Sequence, residues 1–211
     1  MKRNLFFMGL LLLAACACRS RGEARAPEKT VGASGDTLIV YLSRTNNTRA
    51  LAEIIQREVG GTLVALELET PYPANYPATV QQVAEENETG YLPPLKTKIE
   101  HLERYEVVFV GFPTWGMQLP PPMKSFLHEV DLSGKTVVPF NTNAGYGVGS
   151  GFRTVRELCP NSNVLDGFSI TGGVERDGIY FVMEGEKAEE ARTQVQRWLE
   201  NIRLLPAVPR R

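Results

Sequence analysis

Two runs in this 211-residue chain, Thr37-Leu38-Ile39-Val40-Tyr41-Leu42 and Val107-Val108-Phe109-Val110-Gly111-Phe112, lack any alternation of polar and apolar positions. A strand with one wet face alternates. A strand that is apolar throughout must be covered on both faces, which happens in parallel sheets flanked by helices. The residues between the runs agree. From Arg49 to Val59, the apolar Leu51, Ile54, Ile55 and Val59 recur at helical spacing, with Glu53, Gln56, Arg57 and Glu58 mostly on the other side.

The rest of the body follows the same rhythm of strand and helix, which implies βαβ units and an α/β fold. A second strand is expected over 62–68, at a sheet edge, because Val64, Leu66 and Leu68 alternate with small or charged residues. Residues 71–77 hold three prolines and are expected to be non-helical. A polar helix over 78–88, a turn at Pro93-Pro94 and a short helical piece over 99–103 follow. The pattern then predicts a helix over 123–130, a strand over 136–140, a helix over 152–158 and a fifth strand within 164–170. A last helix is expected over 186–202, carrying Ala188, Ala191, Val195, Trp198, Leu199 and Ile202 on one stripe.

The ends read differently. Lys2 and Arg3 precede an apolar run, Leu5 to Leu13, too short for the ~20 residues of a membrane-spanning helix and typical of a cleaved export signal. Leu13-Ala14-Ala15-Cys16 resembles the lipobox of bacterial lipoproteins, which implies that residues 1–15 are removed and Cys16 is lipidated; an ordinary secretory peptide cut nearby is the alternative. Residues 16–35 are polar and aperiodic, as in a flexible tether. The body is assigned to 36–202 and a disordered tail to 203–211. This places the protein extracytoplasmically, on the periplasmic side of a bacterial membrane.

Charge and composition exclude several functions. Residues 36–200 hold 14 Lys and Arg against 22 Asp and Glu, with no basic stripe, so nucleic acid is not expected as a partner. No nucleophile motif and no metal-spaced His or Cys cluster is present; His101 and His128 are expected on helix surfaces, and Cys159 in packing.

Chemistry is concentrated at three loops, each following a strand, at the edge where open α/β sheets bind ligands. Ser43-Arg44-Thr45-Asn46-Asn47-Thr48 brings three hydroxyls and two amides to the start of a helix, where free N–H groups and the helix dipole favour a phosphate. It lacks the Lys of a Walker loop and the glycines of a dinucleotide fingerprint; a plain capping turn on Asn47 or Thr48 is the alternative reading. The second loop, Pro113-Thr114-Trp115-Gly116, offers an indole. The third, 141–149, offers small residues and amides that let a planar ring approach the backbone. A phosphorylated aromatic cofactor suits all three.

At this point the chain resembles the flavodoxins across 37–202. Their Thr/Ser-x-Thr-Gly-Asn-Thr is matched by Ser43 to Thr48, with Asn46 replacing glycine; asparagine is among the residues that best tolerate positive φ. Thr114-Trp115-Gly116 is similar to the family's tryptophan loop, and Asp131 to Gly149 to the segment entering its second flavin-facing loop. The resemblance implies a flavodoxin-like, three-layer, doubly wound five-stranded parallel sheet in the order 2-1-3-4-5, with non-covalent FMN. It implies that Ser43, Thr45, Asn46, Asn47 and Thr48 hold the phosphate. Pro113, Thr114, Trp115 and Gly116 then line one side of the ring, and Asn143, Ala144, Gly145 and Tyr146 give backbone contacts near its polar edge. Three roles are left open: an electron carrier between redox partners, an NAD(P)H-dependent FMN oxidoreductase acting on a quinone or other small acceptor, and a flavin-free binding lipoprotein with the same fold.

Overall fold

A computed structural model describes residues 36–205; the expected signal peptide, the lipidation at Cys16, the tether and residues 206–211 lie outside them. Strands β1 (Thr37–Tyr41), β2 (Thr62–Ala65), β3 (Val107–Pro113) and β4 (Thr136–Asn143) form a parallel sheet in the order β2-β1-β3-β4. The fifth position is filled by two short strands, β5 (Asn163–Val164) and β6 (Phe168–Thr171), both parallel to β4. The order 2-1-3-4-5 expected from the resemblance is therefore the observed one, with its last strand broken. At the break, the Asp166 carbonyl accepts the Trp198 indole N–H at 2.8 Å instead of a sheet partner.

Helices α1 (Asn47–Val59) and α5 (Gly185–Asn201) cover one face, and α2 (Tyr76–Thr89), α3 (Pro121–Glu129) and α4 (Gly151–Leu158) lie on the other side. Side chains alternate along each strand between these two cores. Ile39, Phe109 and Phe140 meet Leu51, Ile55, Val195 and Trp198 on the α1/α5 side. Leu38, Val40, Val108, Val110 and Phe112 meet Met123, Phe126 and Val155 on the other. All five residues of β1 are buried, as its composition requires.

Several boundaries differ from the sequence expectation for identifiable reasons. Tyr76 and Pro77, placed in a non-helical stretch, form the first turn of α2, and Pro121 and Pro122 open α3; a proline in a first turn gives up an N–H that had no helical partner anyway. Asn75 caps α2 by accepting from the Ala78 N–H at 3.0 Å. The second strand ends at Ala65, three residues early: Leu68 leaves the sheet to pair antiparallel with Leu95. The helical piece near 99–103 is a 3-10 turn, Leu102–Arg104, and the exposed His101 precedes it at positive φ rather than standing on a helix. The body also runs past Ile202, because Leu204 and Leu205 fold back onto the α1/α5 core.

Gly111 in β3 shows how tight the centre is. A Cβ there would stand 2.0 Å from the Phe140 ring, which is wholly buried and cannot step aside. Gly111→Ala is expected to cost about 1–3 kcal/mol through overpacking, read as a lower urea midpoint with an unchanged slope.

Candidate functional site

The chain leaves β1 at Tyr41 and turns into α1 through the hydroxyl-rich loop. The turn requires a left-handed residue, and Asn46 supplies it at φ 64°. Asn46 is thus the N-cap by backbone geometry, although its side chain makes no capping bond, and neither Asn47 nor Thr48 plays that part. Ser43 Oγ accepts from the Arg49 N–H at 3.2 Å, which curls the loop over the helix end. The N–H groups of Thr45, Asn46, Asn47 and Thr48 find no acceptor among the described residues. They form a row of donors at the positive end of a 13-residue helix.

Asn47 is 3% exposed and works inward. Its Nδ2 donates to Thr45 Oγ1 at 3.0 Å and to the Tyr180 carbonyl, while its Oδ1 accepts from the Val182 N–H at 3.0 Å. Thr48 is equally buried, its hydroxyl 2.8 Å from that of Thr142 on β4. These two side chains are therefore engaged inside the protein, and their backbone N–H groups are what remains without an acceptor among the described residues.

The loops after β3 and β4 are stitched together in the same way. The Thr114 N–H donates to the Thr142 carbonyl at 3.0 Å, and its Oγ1 donates to the Gly147 carbonyl at 2.9 Å. Asn141, fully buried, donates to the Phe112 carbonyl and to Thr114 Oγ1. Asn143 Oδ1 accepts from the N–H groups of Gly145 and Gly147 and so closes its own loop. Trp115 begins a tight turn whose central residues, Gly116 and Met117, both have positive φ. Gly149 packs so closely on this turn that a Cβ would stand 2.0 Å from the Met117 carbonyl oxygen. The ring of Trp115 meets Tyr72 edge-on at 5.3 Å. The Tyr72 hydroxyl in turn donates to the buried Glu86 carboxylate. Burial first, then that hydrogen bond, pushes the Tyr72 phenol well above its ordinary range. It therefore stays a neutral donor.

Three clefts open around this edge. One, about 400 Å³, lies between α2 and the tryptophan loop, lined by Thr79, Val80, Val83, Asn87, Trp115 and Gln118 among others. A second is lined by Thr45, Asn46, Tyr180 and Phe181. Both include Arg44 and Glu175, whose side chains pair at 2.8 Å, each less than one-fifth exposed. The Arg44 guanidinium also donates to the carbonyls of Pro73 and Ala74. A third cleft is lined by Ser43, Tyr72 and Trp115 among others. Asn143 to Tyr146 line none of the three; Tyr146 is 65% exposed and accepts from Arg176.

Two parts of this site escaped the sequence reading. The segment 172–183, held by Asn47, had a signal: Gly172-Gly173 following the fifth strand at the same sheet edge. Helix α2 carries Val80, Val83, Ala84 and Asn87 along one stripe, which composition alone made look merely polar. Among the described residues no group of three or more His, Cys, Asp or Glu could hold a metal. Cys159, buried at the end of α4, has its thiol pushed up to about 11 by that burial and stays protonated at neutral pH.

A family model described as flavodoxin matches residues 36–202. Among solved structures, the chain is similar to a protein described as a flavoprotein from Bacteroides uniformis, at 24% identity and TM-score 0.64, covering 79% of this chain and 98% of that one. A second, from Bacteroides eggerthii, shows 26% identity and TM-score 0.63, covering 79% and 97%. A flavoprotein from Lactobacillus acidophilus, solved in complex with FMN, shows 22% identity and TM-score 0.58, covering 69% and 98%. No curated protein matches.

Because Asn47 joins two segments through buried hydrogen bonds, Asn47→Ala is expected to cost about 2–4 kcal/mol in stability, leaving several buried partners unmade. Hydrogen exchange should speed up at the Val182 amide before it does in the central strands.

Proposed function

The chain belongs to the flavodoxin family, and on that premise we propose that it binds FMN at the carboxyl edge of the sheet and carries electrons between redox partners. The observation that carries the reading is the row of acceptor-less N–H groups from Thr45 to Thr48, topped by the Ser43 and Thr45 hydroxyls and set at the start of α1. A phosphate monoester satisfies such a row without any lysine. The cofactor bound to the Lactobacillus acidophilus relative has that group.

FMN, when bound, supplies the redox chemistry by taking up and releasing electrons. This chain's residues bind and orient it. The loop amides and the Ser43 and Thr45 hydroxyls hold the phosphate, and Arg44, paired with Glu175, keeps the loop in place. Trp115, braced by Tyr72, offers a flat apolar wall to the ring. Asn141 and Asn143 keep the β4 loop in shape so that its backbone can face the ring's polar edge. Glu86 and Tyr72 act behind Trp115 by fixing its angle.

A second reading is a flavin oxidoreductase that takes electrons from NAD(P)H and passes them to a quinone or another small acceptor. The cleft of about 400 Å³ beside Trp115 supports it, since it leaves room for a second planar molecule. We further propose that residues 1–15 direct export and that Cys16 carries a lipid, so that the domain works tethered at the extracytoplasmic membrane face. The acidic balance of the body favours a basic redox partner.

Titration with FMN should quench the indole emission, and FMN should bind at least 100-fold more tightly than riboflavin, about 2.7 kcal/mol carried by the phosphate. Thr45→Ala is expected to weaken FMN about tenfold and leave riboflavin unchanged. A protein that binds neither is a lipoprotein with the fold alone. Rapid bleaching of the loaded protein by NADH or NADPH in stopped flow selects the oxidoreductase over the carrier. In cells, Cys16→Ser should move the protein from the membrane to the soluble fraction.

A further inference from the structure

Lys124 lies half-buried against two residues that line the cleft between α2 and the tryptophan loop, with no carboxylate paired to it among the described residues. Its ammonium is held by two amides instead: Nζ donates to Asn87 Oδ1 at 2.7 Å and to Gln118 Oε1 at 3.4 Å. An ammonium offers donors and no acceptor. Both amides must therefore turn their oxygens toward Lys124 and their NH₂ groups away from it. The ammonium thus fixes the orientation of both amides. Both residues line the cleft, and neither NH₂ has an acceptor among the described residues. Asn87 Nδ2 stands 3.8 Å from where a Cβ on Gly116 would be, at the rim formed by the tryptophan turn.

The cleft thus presents two N–H donors, Asn87 from α2 and Gln118 from the tryptophan turn, with the half-buried Lys124 ammonium bridging their oxygens. Val80, Val83 and Trp115 make the other surfaces apolar. Arg44 and Glu175 border it as a neutral pair, which leaves Glu88 to disfavour a ligand carrying net negative charge. A neutral flat ring with a carbonyl oxygen satisfies the donors, fills the apolar slot and avoids the carboxylate. Burial also lowers the Lys124 pKa, so its charge is under-solvated and gains from electron density arriving on such an oxygen.

We propose that the cleft between α2 and the Trp115–Gln118 turn seats the carbonyl edge of a planar ring, with Asn87 and Gln118 as its hydrogen-bond donors and Lys124 as the residue that positions them. The proposal rests on the FMN reading and deepens it. The carbonyl has two possible sources: the cofactor's own ring, or a quinone acceptor lying beside it.

The test is the double substitution Asn87→Asp/Gln118→Glu in the full chain. Each new side chain keeps its shape and an oxygen on Lys124, so a structural role alone is satisfied, but an acceptor replaces each donor. Asn87→Leu removes one donor without adding charge and separates donor loss from repulsion. Circular dichroism melting checks that each variant is folded. FMN and riboflavin titrations on the wild type come first and decide the cofactor reading by themselves. If FMN and riboflavin both bind the variants at least tenfold more weakly, the donors serve the cofactor ring, and the flavin midpoint potential falls as well. If flavin affinity is unchanged but 1,4-naphthoquinone binds at least tenfold more weakly, by ligand-observed NMR on the FMN-loaded protein, the donors serve an acceptor. Should the wild type bind no FMN, the naphthoquinone titration on the flavin-free chain still tests the donor pair. Unchanged binding of flavin and naphthoquinone in all variants overturns the proposal.

Discussion

The constraint on which the rest depends is that β1, β3 and β4 are covered on both faces. Their backbone groups are spent in the sheet, and their side chains are split between two apolar cores. The middle of each strand is apolar and the buried Asn141 and Thr142 stand at the carboxyl end of β4, so chemistry gathers where the strands end. Phe140 fills the space where Gly111 lacks a side chain, and this close fit holds β3 and β4 in a single register. The loops that follow therefore leave the sheet at fixed positions.

Those loops are then tied to one another by buried polar side chains. Asn47 joins the first loop to the segment 172–183, Thr48 meets Thr142, and Thr114 and Asn141 lock the second loop to the third. Each of these side chains is used up in holding the edge together. What faces outward is mostly backbone N–H, together with a few hydroxyls and one indole. A site of this kind binds by preorganised donors, which need little rearrangement when a ligand arrives.

The helix α2 adds what the sheet edge alone does not have. Anchored by Asn75 at its start, by the Glu86–Tyr72 bond behind Trp115 and by the Lys124–Asn87 contact, it forms a wall beside the tryptophan loop. The Arg44–Glu175 pair, with its bonds to Pro73 and Ala74, draws the first loop, the approach to α2 and the last loop together. The first loop thereby comes to border, through Arg44, the cleft beside the tryptophan turn.

Much of this was legible without the structure. The two-sided strands, the left-handed role of Asn46, the three loops at one edge and the last helix stripe all follow from local chemistry: apolar periodicity, positive-φ tolerance and strand-end position. The proline-opened helices were misread because a rule about helix interiors was applied at helix starts. The fifth strand's break depends on Trp198, some thirty residues away in sequence, taking the Asp166 carbonyl. The inward turn of Asn47, the Arg44–Glu175 pair and the amides on Lys124 are likewise contacts between distant segments. The sequence by itself determined which stretches are buried and where polarity must gather, because those depend on nearest neighbours and on the period of each element. Only the tertiary structure decided which polar groups are consumed in holding the edge and which are left to meet a ligand, because a hydrogen bond's partner is set by distance in space.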